Sequence, residues 1–239
     1  MNRSFPGSPN GSLAAQVANI LMQEIISKIT HGKDLHTGAG HRVNLAHVRA
    51  SIDIPEVEEL ARAFKAPVIL NSSMRDGSLR EAASDLGIKM LVFEGGGALR
   101  FNEKIIKAGL YGILSVMRQI GMIKSSSHKV LSKPKEAFIA RSSHWIRASA
   151  SGTLVQKKKA GERVEKGETL GVISDPFGNH NFTVEASKEG IIIGSTKLPL
   201  VNRGDALFHI ATFENIDEVE EHVDLYDAAL EPINDDKLL

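Results

Sequence analysis

The chain has 239 residues, 42% of them hydrophobic and 24% charged, which gives enough apolar material for a sizeable core in one large or two ordinary domains. Lys+Arg 29 balance Asp+Glu 29 and no basic-aromatic stripe appears, so neither a global field nor a local surface points to nucleic acid. The absence of cysteine excludes disulfides and thiolate zinc sites and favours a reducing, cytoplasmic setting; no apolar run approaches the ~20 residues that span a bilayer, and no signal-peptide pattern is visible.

In chain order, "MNRSFPG" comes first, with an Asn-Arg pair, an aromatic and a Pro-Gly turn in seven residues. "SLAAQVANILMQEIISKIT" places Leu13, Val17, Ile20, Leu21 and Ile25 at helical spacing behind Ser12, a good N-cap. A short stretch rich in His and Gly follows, "HGKDLHTGAGHR". "IPEVEELARAFK" predicts a helix with Pro55 in its first turn, "APVILN" a short buried strand, and "SLRE" at Ser78 to Glu81 a capping box that opens another helix. "KMLVFEGGG" predicts an apolar strand ending at Glu94 and three glycines. "NEKIIKAGLYGILSVMRQIG" predicts a long helix with Gly121 at its C-cap. This alternation implies α/β units and a largely parallel sheet over residues 1–123. Residues 124–136, polar and containing proline, have the composition of a linker. Short strands separated by Gly, Pro and Asn then predict a small all-β barrel or sandwich over 137–213. Residues 214–239 carry ten carboxylates and one lysine, the composition of a frayed acidic tail.

Three places could carry chemistry. Asp34 and His36 are two residues apart, so on a strand they face the same way, and a carboxylate beside an imidazole can fix its tautomer and orient it toward a metal. A surface histidine in a Gly-rich loop is the plain alternative. Glu94 follows an apolar strand, where a carboxylate is costly without a partner, and the C-terminal ends of parallel strands are where α/β folds place ligands. The alternative is a glutamate reaching solvent as the strand ends. Asn2 and Arg3 could grip a carboxylate, or simply form a polar terminus.

Taken together and in order, "NRSFPG", "DLHTG", "SLREAA" and the strand ending in Glu resemble the succinylglutamate desuccinylase/aspartoacylase family, and "HWIRASASGTL" and "GERVEKGETLGVISDPFG" extend the resemblance into a β-module found in one branch. The resemblance implies a carboxypeptidase-like fold and a zinc-dependent hydrolase that removes the acyl group from a small N-acyl amino acid. It implies that Asn2 and Arg3 hold the substrate carboxylate, that His36 is a zinc ligand with Asp34 behind it, and that Glu94 is the general base.

The chain also departs from the family pattern. The family's His-x-x-Glu motif, which supplies two further zinc ligands, and its oxyanion-stabilising arginine both lie upstream of the Asn-Arg pair, and neither is found in this sequence. Catalytic zinc sites usually have three protein ligands plus water. The expectation is therefore the C-terminal portion of a deacylase catalytic domain, begun at an internal Met, with one recognisable zinc ligand and no activity of its own. The alternative is a non-catalytic binding or scaffolding remnant of the fold. A parallel sheet without its first strands exposes an edge, which implies self-association into a homo-oligomer. Within the β-module, "GERVEKGETLGVI" resembles the hairpin of biotinyl- and lipoyl-type domains. Its tip, "SDPFGNHN", lacks the lysine a carrier needs, which leaves a scaffold or substrate-gating role.

Overall fold

The computed structural model describes residues 1–124 and 137–230. Most of the expected linker and the last residues of the tail lie outside the described residues.

The N-terminal segment leads into helix α1 (Leu13–Glu24), capped by Ser12 Oγ, which accepts from the Ala15 amide. Strands β1 (His31–Gly38) and β2 (Arg42–Ala50) follow, then α2 (Pro55–Phe64), β3 (Val68–Asn71), α3 (Leu79–Asp85), β4 (Lys89–Gly97) and α4 (Glu103–Gln119). Ser78 caps α3 through the Glu81 amide, while the Glu81 carboxylate reaches the amide of Gly77 rather than that of Ser78, a capping box shifted by one residue. After the undescribed stretch come β5 (Phe138–Ala140), β6 (Ser142–Arg147), β7 (Gly152–Gln156), β8 (Arg163–Val164), β9 (Thr169–Ser174), β10 (Asn181–Glu185), β11 (Gly190–Thr196), β12 (Leu200–Val201), β13 (Ala206–Thr212) and α5 (Ile216–Ala229).

The main sheet is mixed rather than largely parallel. Its order is β1-β4-β2-β11-β13-β6, with β3 and β5 branching from β2 and β8 pairing with β11. The pairs β1/β4, β2/β3 and β3/β5 are parallel; β2 runs antiparallel to β4 and to β11. The cause is β2, which the strand–helix alternation did not predict. It returns from β1 through residues 39–41, a turn too short for a crossover helix, with Gly40 and His41 both at φ near +60°.

The all-β half does not form a sheet of its own. Strands β11, β13 and β6 extend the main sheet, while β10-β9-β7-β12 form a second, four-stranded sheet. Leu154, Ile173 and Val184 of the small sheet share a core with Ile192, Leu207 and Ile210 of the large one. No break in the main sheet corresponds to the boundary expected between 123 and 137.

Two further expectations change. Residues 216–229 are not frayed: α5 buries Val219, Val223 and Tyr226, and Arg163 pairs with its Asp217 and Glu220. The acidic composition marks the outer face of an amphipathic helix. An apolar stripe normally marks the buried face of a helix, yet on α1 Leu13 is 78% and Ile20 60% exposed. The buried face is the smaller one, Ala18 and Met22, packed with Phe5, Ala83 and Met90. Among the described residues strand β1 beside it pairs only with β4, and so is an edge of the described sheet.

If α5 is part of the core, Tyr226→Ala should cost about 3–5 kcal/mol, the range for truncating a buried aromatic. Urea denaturation of the two proteins measures this; a frayed tail would give a change within about 0.5 kcal/mol.

Candidate functional site

Glu94 sits in β4, the strand between β1 and β2, and is 8% exposed. Parallel pairing sets His36 of β1 beside it on one side, and antiparallel pairing sets His47 of β2 beside it on the other. Asn44 also reaches Glu94, although it lies three residues before His47. In a regular strand those two side chains would point to opposite faces. The β2–β4 register shifts between Asn44 and His47, a bulge of one extra residue in β2 that brings both to one face.

The contacts follow from this arrangement. His36 Nε2 lies 2.8 Å from Asp34 Oδ2, and His36 Nδ1 lies 3.5 Å from Glu94 Oε1. Asn44 Nδ2 donates to Glu94 Oε2 at 3.0 Å, and Arg49 Nη1 lies 3.4 Å from Glu94 Oε1. The hydrogen bonds to Asp34 and then Glu94 raise His36 to about 10, against the opposing effect of burial. Burial pushes Glu94 upward, but the hydrogen bond from His36 and the charges of His47, His36 and Arg49 outweigh it and hold the carboxyl below its usual range. His47 is fully enclosed; burial lowers its pKa, and Nδ1 donates to the Leu45 carbonyl at 2.8 Å.

The cleft beside Glu94 has two lobes that share His36, Arg49 and Arg75. The first is lined by Asn2, Arg3, Asp34 and Arg80. Its guanidinium groups depress one another. The charge of Arg49, then burial, then the charge of Arg3 lower Arg75; burial, then Arg49 and Arg75, lower Arg80 to about 10. Arg80 is held by Ser72 Oγ and by the carbonyls of Ser72 and Ser73. Cations that destabilise one another in a partly dry cleft form a site for an anion. Asn2 and Arg3 line this lobe, and Asn2 Oδ1 accepts from the Leu79 amide at the start of α3. The second lobe is lined by Asn44, Ser72, Ser143, Trp145 and His209.

Asp34, His36 and Glu94 are thus brought together, and Asn2 and Arg3 stand in the adjoining lobe. Sequence reasoning missed Asn44, His47, Arg49, Arg75 and Arg80, and everything contributed by β6 and β13. The one available signal was "RVNLAHVRA", whose bulge breaks the alternation that marks a strand.

Whether these residues fit the zinc implied by the resemblance depends on the donors. Among the described residues no three His, Asp or Glu side chains are grouped to hold a metal. Each nitrogen of His36 faces a carboxylate, Asp34 or Glu94, and His47, on the other side of Glu94, is buried with Nδ1 donating to the Leu45 carbonyl. The described residues therefore do not fit a three-ligand zinc site.

The site thus sets a buried carboxylate and a half-buried imidazole on one face of a mixed sheet, beside an arginine cluster. The chain belongs to the succinylglutamate desuccinylase/aspartoacylase family, whose catalytic-domain model matches residues 1–120. It is 25% identical over 226 residues to the N-alpha-acetyl-L-2,4-diaminobutyric acid deacetylase of Halomonas elongata, a match that covers 88% of this chain and 64% of that protein. In fold it is similar to a succinylglutamate desuccinylase/aspartoacylase from Rhodobacter sphaeroides, with a TM-score of 0.79 at 23% identity, covering 89% of this chain and 67% of the other. The product-bound ectoine utilization protein EutE (DoeB) from Ruegeria pomeroyi gives 0.79 at 18% identity, covering 88% and 67%. Among the described residues no helix is long and apolar enough to cross a membrane.

The second lobe gives the site a pH dependence. Burial first, then the charges of His47, Arg49, His144 and Arg75, lower His209 from 6.5 to about 3. Between those values the unfolded chain binds a proton that the folded chain does not. The contribution of His209 is therefore complete above 6.5 and is lost as pH falls toward 3. His209→Phe, which cannot take that proton, should flatten the acid limb of stability in urea titrations at stepped pH. Equal slopes in the two proteins would contradict the burial of His209.

Proposed function

We propose that this chain serves the hydrolysis of the amide bond of a small N-acyl amino acid. The observation that carries the reading is Glu94, buried and ionised in the second lobe between Asn44 and the His36 and Arg49 that both lobes share. The amino acid's carboxylate enters the arginine lobe, where Arg3 and Arg75 meet it. That places the amide near Glu94. Glu94 takes a proton from water as the water oxygen bonds to the amide carbon. Arg49, the nearest guanidinium, offsets the negative charge that develops on the carbonyl oxygen. The carbon–nitrogen bond then breaks, and Glu94 returns the proton to the departing amine. His36 is the described side chain best suited to donate to a zinc ion, but because the described donor set is incomplete no step is drawn through the metal. The Halomonas elongata relative is named for an acetylated diamino acid, which supports an N-acyl amino acid as the substrate class.

A second reading, a non-catalytic binding scaffold, is favoured by one observation: both nitrogens of His36 face carboxylates, and among the described residues no ligand trio surrounds it. The two readings separate in an assay of the chain, with and without added zinc, against a panel of N-acyl amino acids. If the chain is catalytic, Glu94→Gln should lower turnover by ~10²–10⁴-fold with little change in substrate binding. Arg3→Ala should instead raise KM, because it holds a carboxylate present in ground and transition states alike. Amine release from no substrate under either condition would overturn catalysis and leave the scaffold.

Calorimetry with zinc alone gives a separate measurement. One imidazole with weak oxygen neighbours should bind zinc weakly and release it to chelator, and His36→Ala should abolish the binding. Zinc that survives dialysis against chelator would mean that further donors exist.

A further inference from the structure

The strand pairings align one row of residues across five strands. Gly96 of β4 is opposite Asn44 of β2, Asn44 opposite Gly194 of β11, Gly194 opposite His209 of β13, and His209 opposite Trp145 of β6. Paired residues place their side chains on the same face of a sheet. Asn44, which holds Glu94, therefore shares its face with His209 and Trp145. Gly194 leaves the gap between them open: a Cβ there would lie 2.9 Å from Asn44 Oδ1 and 3.5 Å from His209 Cβ. At the far end of the row the His209 and Trp145 rings stack with centroids 4.4 Å apart and planes 8° from parallel. The Arg42 guanidinium lies 5.0 Å from the Trp145 ring centre, and Ser143 Oγ is 2.8 Å from His209 Nε2.

With the amide at Glu94 and the amino acid's carboxylate among the arginines, the acyl group is left the opposite direction, along this row. Resting on the reading given above, we propose that the Trp145–His209 stack with Ser143 is the acyl-recognition wall of the site, and that it selects short acyl groups carrying a hydrogen-bonding group beyond the amide carbonyl. The lobe is lined by Asn44, Ser72, Ser143 and His209, with Ala39 and Leu70 its aliphatic side chains. Ser72 Oγ accepts from Arg80 and Ser143 Oγ pairs with His209 Nε2, so an aliphatic acyl group would cover their remaining donor and acceptor positions without meeting them, at a cost in affinity. His209 is suited to this role because it stays neutral down to about 3, so its ring offers one donor and one acceptor at any working pH.

Trp145 is the only tryptophan in the chain, so its fluorescence reports on this wall alone. The test uses the full chain carrying Glu94→Gln, which prevents turnover, and three probes: L-glutamate, N-succinamoyl-L-glutamate, and an isostere in which the terminal amide is an isopropyl group. Calorimetry should show the amide ligand binding about tenfold tighter than its isostere. Both acylated ligands should change Trp145 emission, and L-glutamate should bind without changing it. His209→Phe keeps an aromatic ring on Trp145 but removes the hydrogen bonding, so the tenfold preference should collapse toward one; His209→Gln should recover part of it. A preference unchanged in His209→Phe, or emission unmoved while calorimetry registers binding that Arg3→Ala weakens, would overturn the acyl wall and leave the carboxylate lobe standing. Binding of none of the three probes would overturn both.

Discussion

The structure turns on the cost of burying Glu94. A lone carboxylate beneath a sheet surface costs several kcal/mol, and it remains ionised only if charged and hydrogen-bonding partners surround it. Those partners come from both neighbouring strands, His36 from β1 and Asn44 and Arg49 from β2. Without the bulge, Asn44 would point away from the face that His47 and Arg49 share. The bulge in β2 and the run Gly95–Gly97 in β4 make this arrangement feasible. A Cβ on Gly97 would lie 2.9 Å from Val43 Cγ2, and one on Gly95 would lie 2.8 Å from Ile105 Cγ2. The glycines after Glu94 thus serve close packing of β2 and α4 against β4.

The same constraint explains why the two halves of the chain share one sheet. Asn44 and Arg49 can hold Glu94 only while β2 is fixed, and β2 is fixed on one side by β4 and on the other by β11. The β-rich half therefore acts as a buttress for the site as well as lining its second lobe. A carrier-type hairpin has no need of such a pairing. The hairpin resemblance in "GERVEKGETLGVI" describes local turns, while the role of the segment is set by where β11 and β13 dock.

The sequence was legible where a local rule acted alone. Ser12 and Ser78 cap their helices, Pro55 opens α2, and Gly121 follows α4 with φ +74°, each a consequence of backbone chemistry within a few residues. The pairing of Asp34 with His36 was legible for the same reason, because a spacing of two on a strand fixes a shared face. The arginine cluster was not. Arg49, Arg75 and Arg80 come from three separate segments and meet only because β2, the loop after β3 and α3 converge, and no periodicity records that. Helix α5 was misread because charge density was taken for disorder, although Val219, Val223 and Tyr226 lie at spacings of four and three within it. Helix α1 shows the opposite failure. Its most apolar stripe is real, but close packing against Phe5 and Met90 selected the small side chains of the other face.

Net charge concealed the most informative electrostatic feature. The chain is neutral overall, yet ten carboxylates lie after residue 213, while Arg3, Arg49, Arg75 and Arg80 gather around one cleft. An even balance of charges usually implies no steering, but separation of the two signs on one molecule creates a local field that the sum cannot show. Arg75 and Arg80 are both depressed, Arg75 first by the charge of Arg49 and then by burial, Arg80 first by burial and then by Arg49 and Arg75. Glu94 offsets the repulsion only in part, at Arg75, and its oxygens already face His36, Asn44 and Arg49. Guanidinium groups outnumber carboxylates in the arginine lobe, which separates the site from a structural ion-pair network, in which the charges would have satisfied one another.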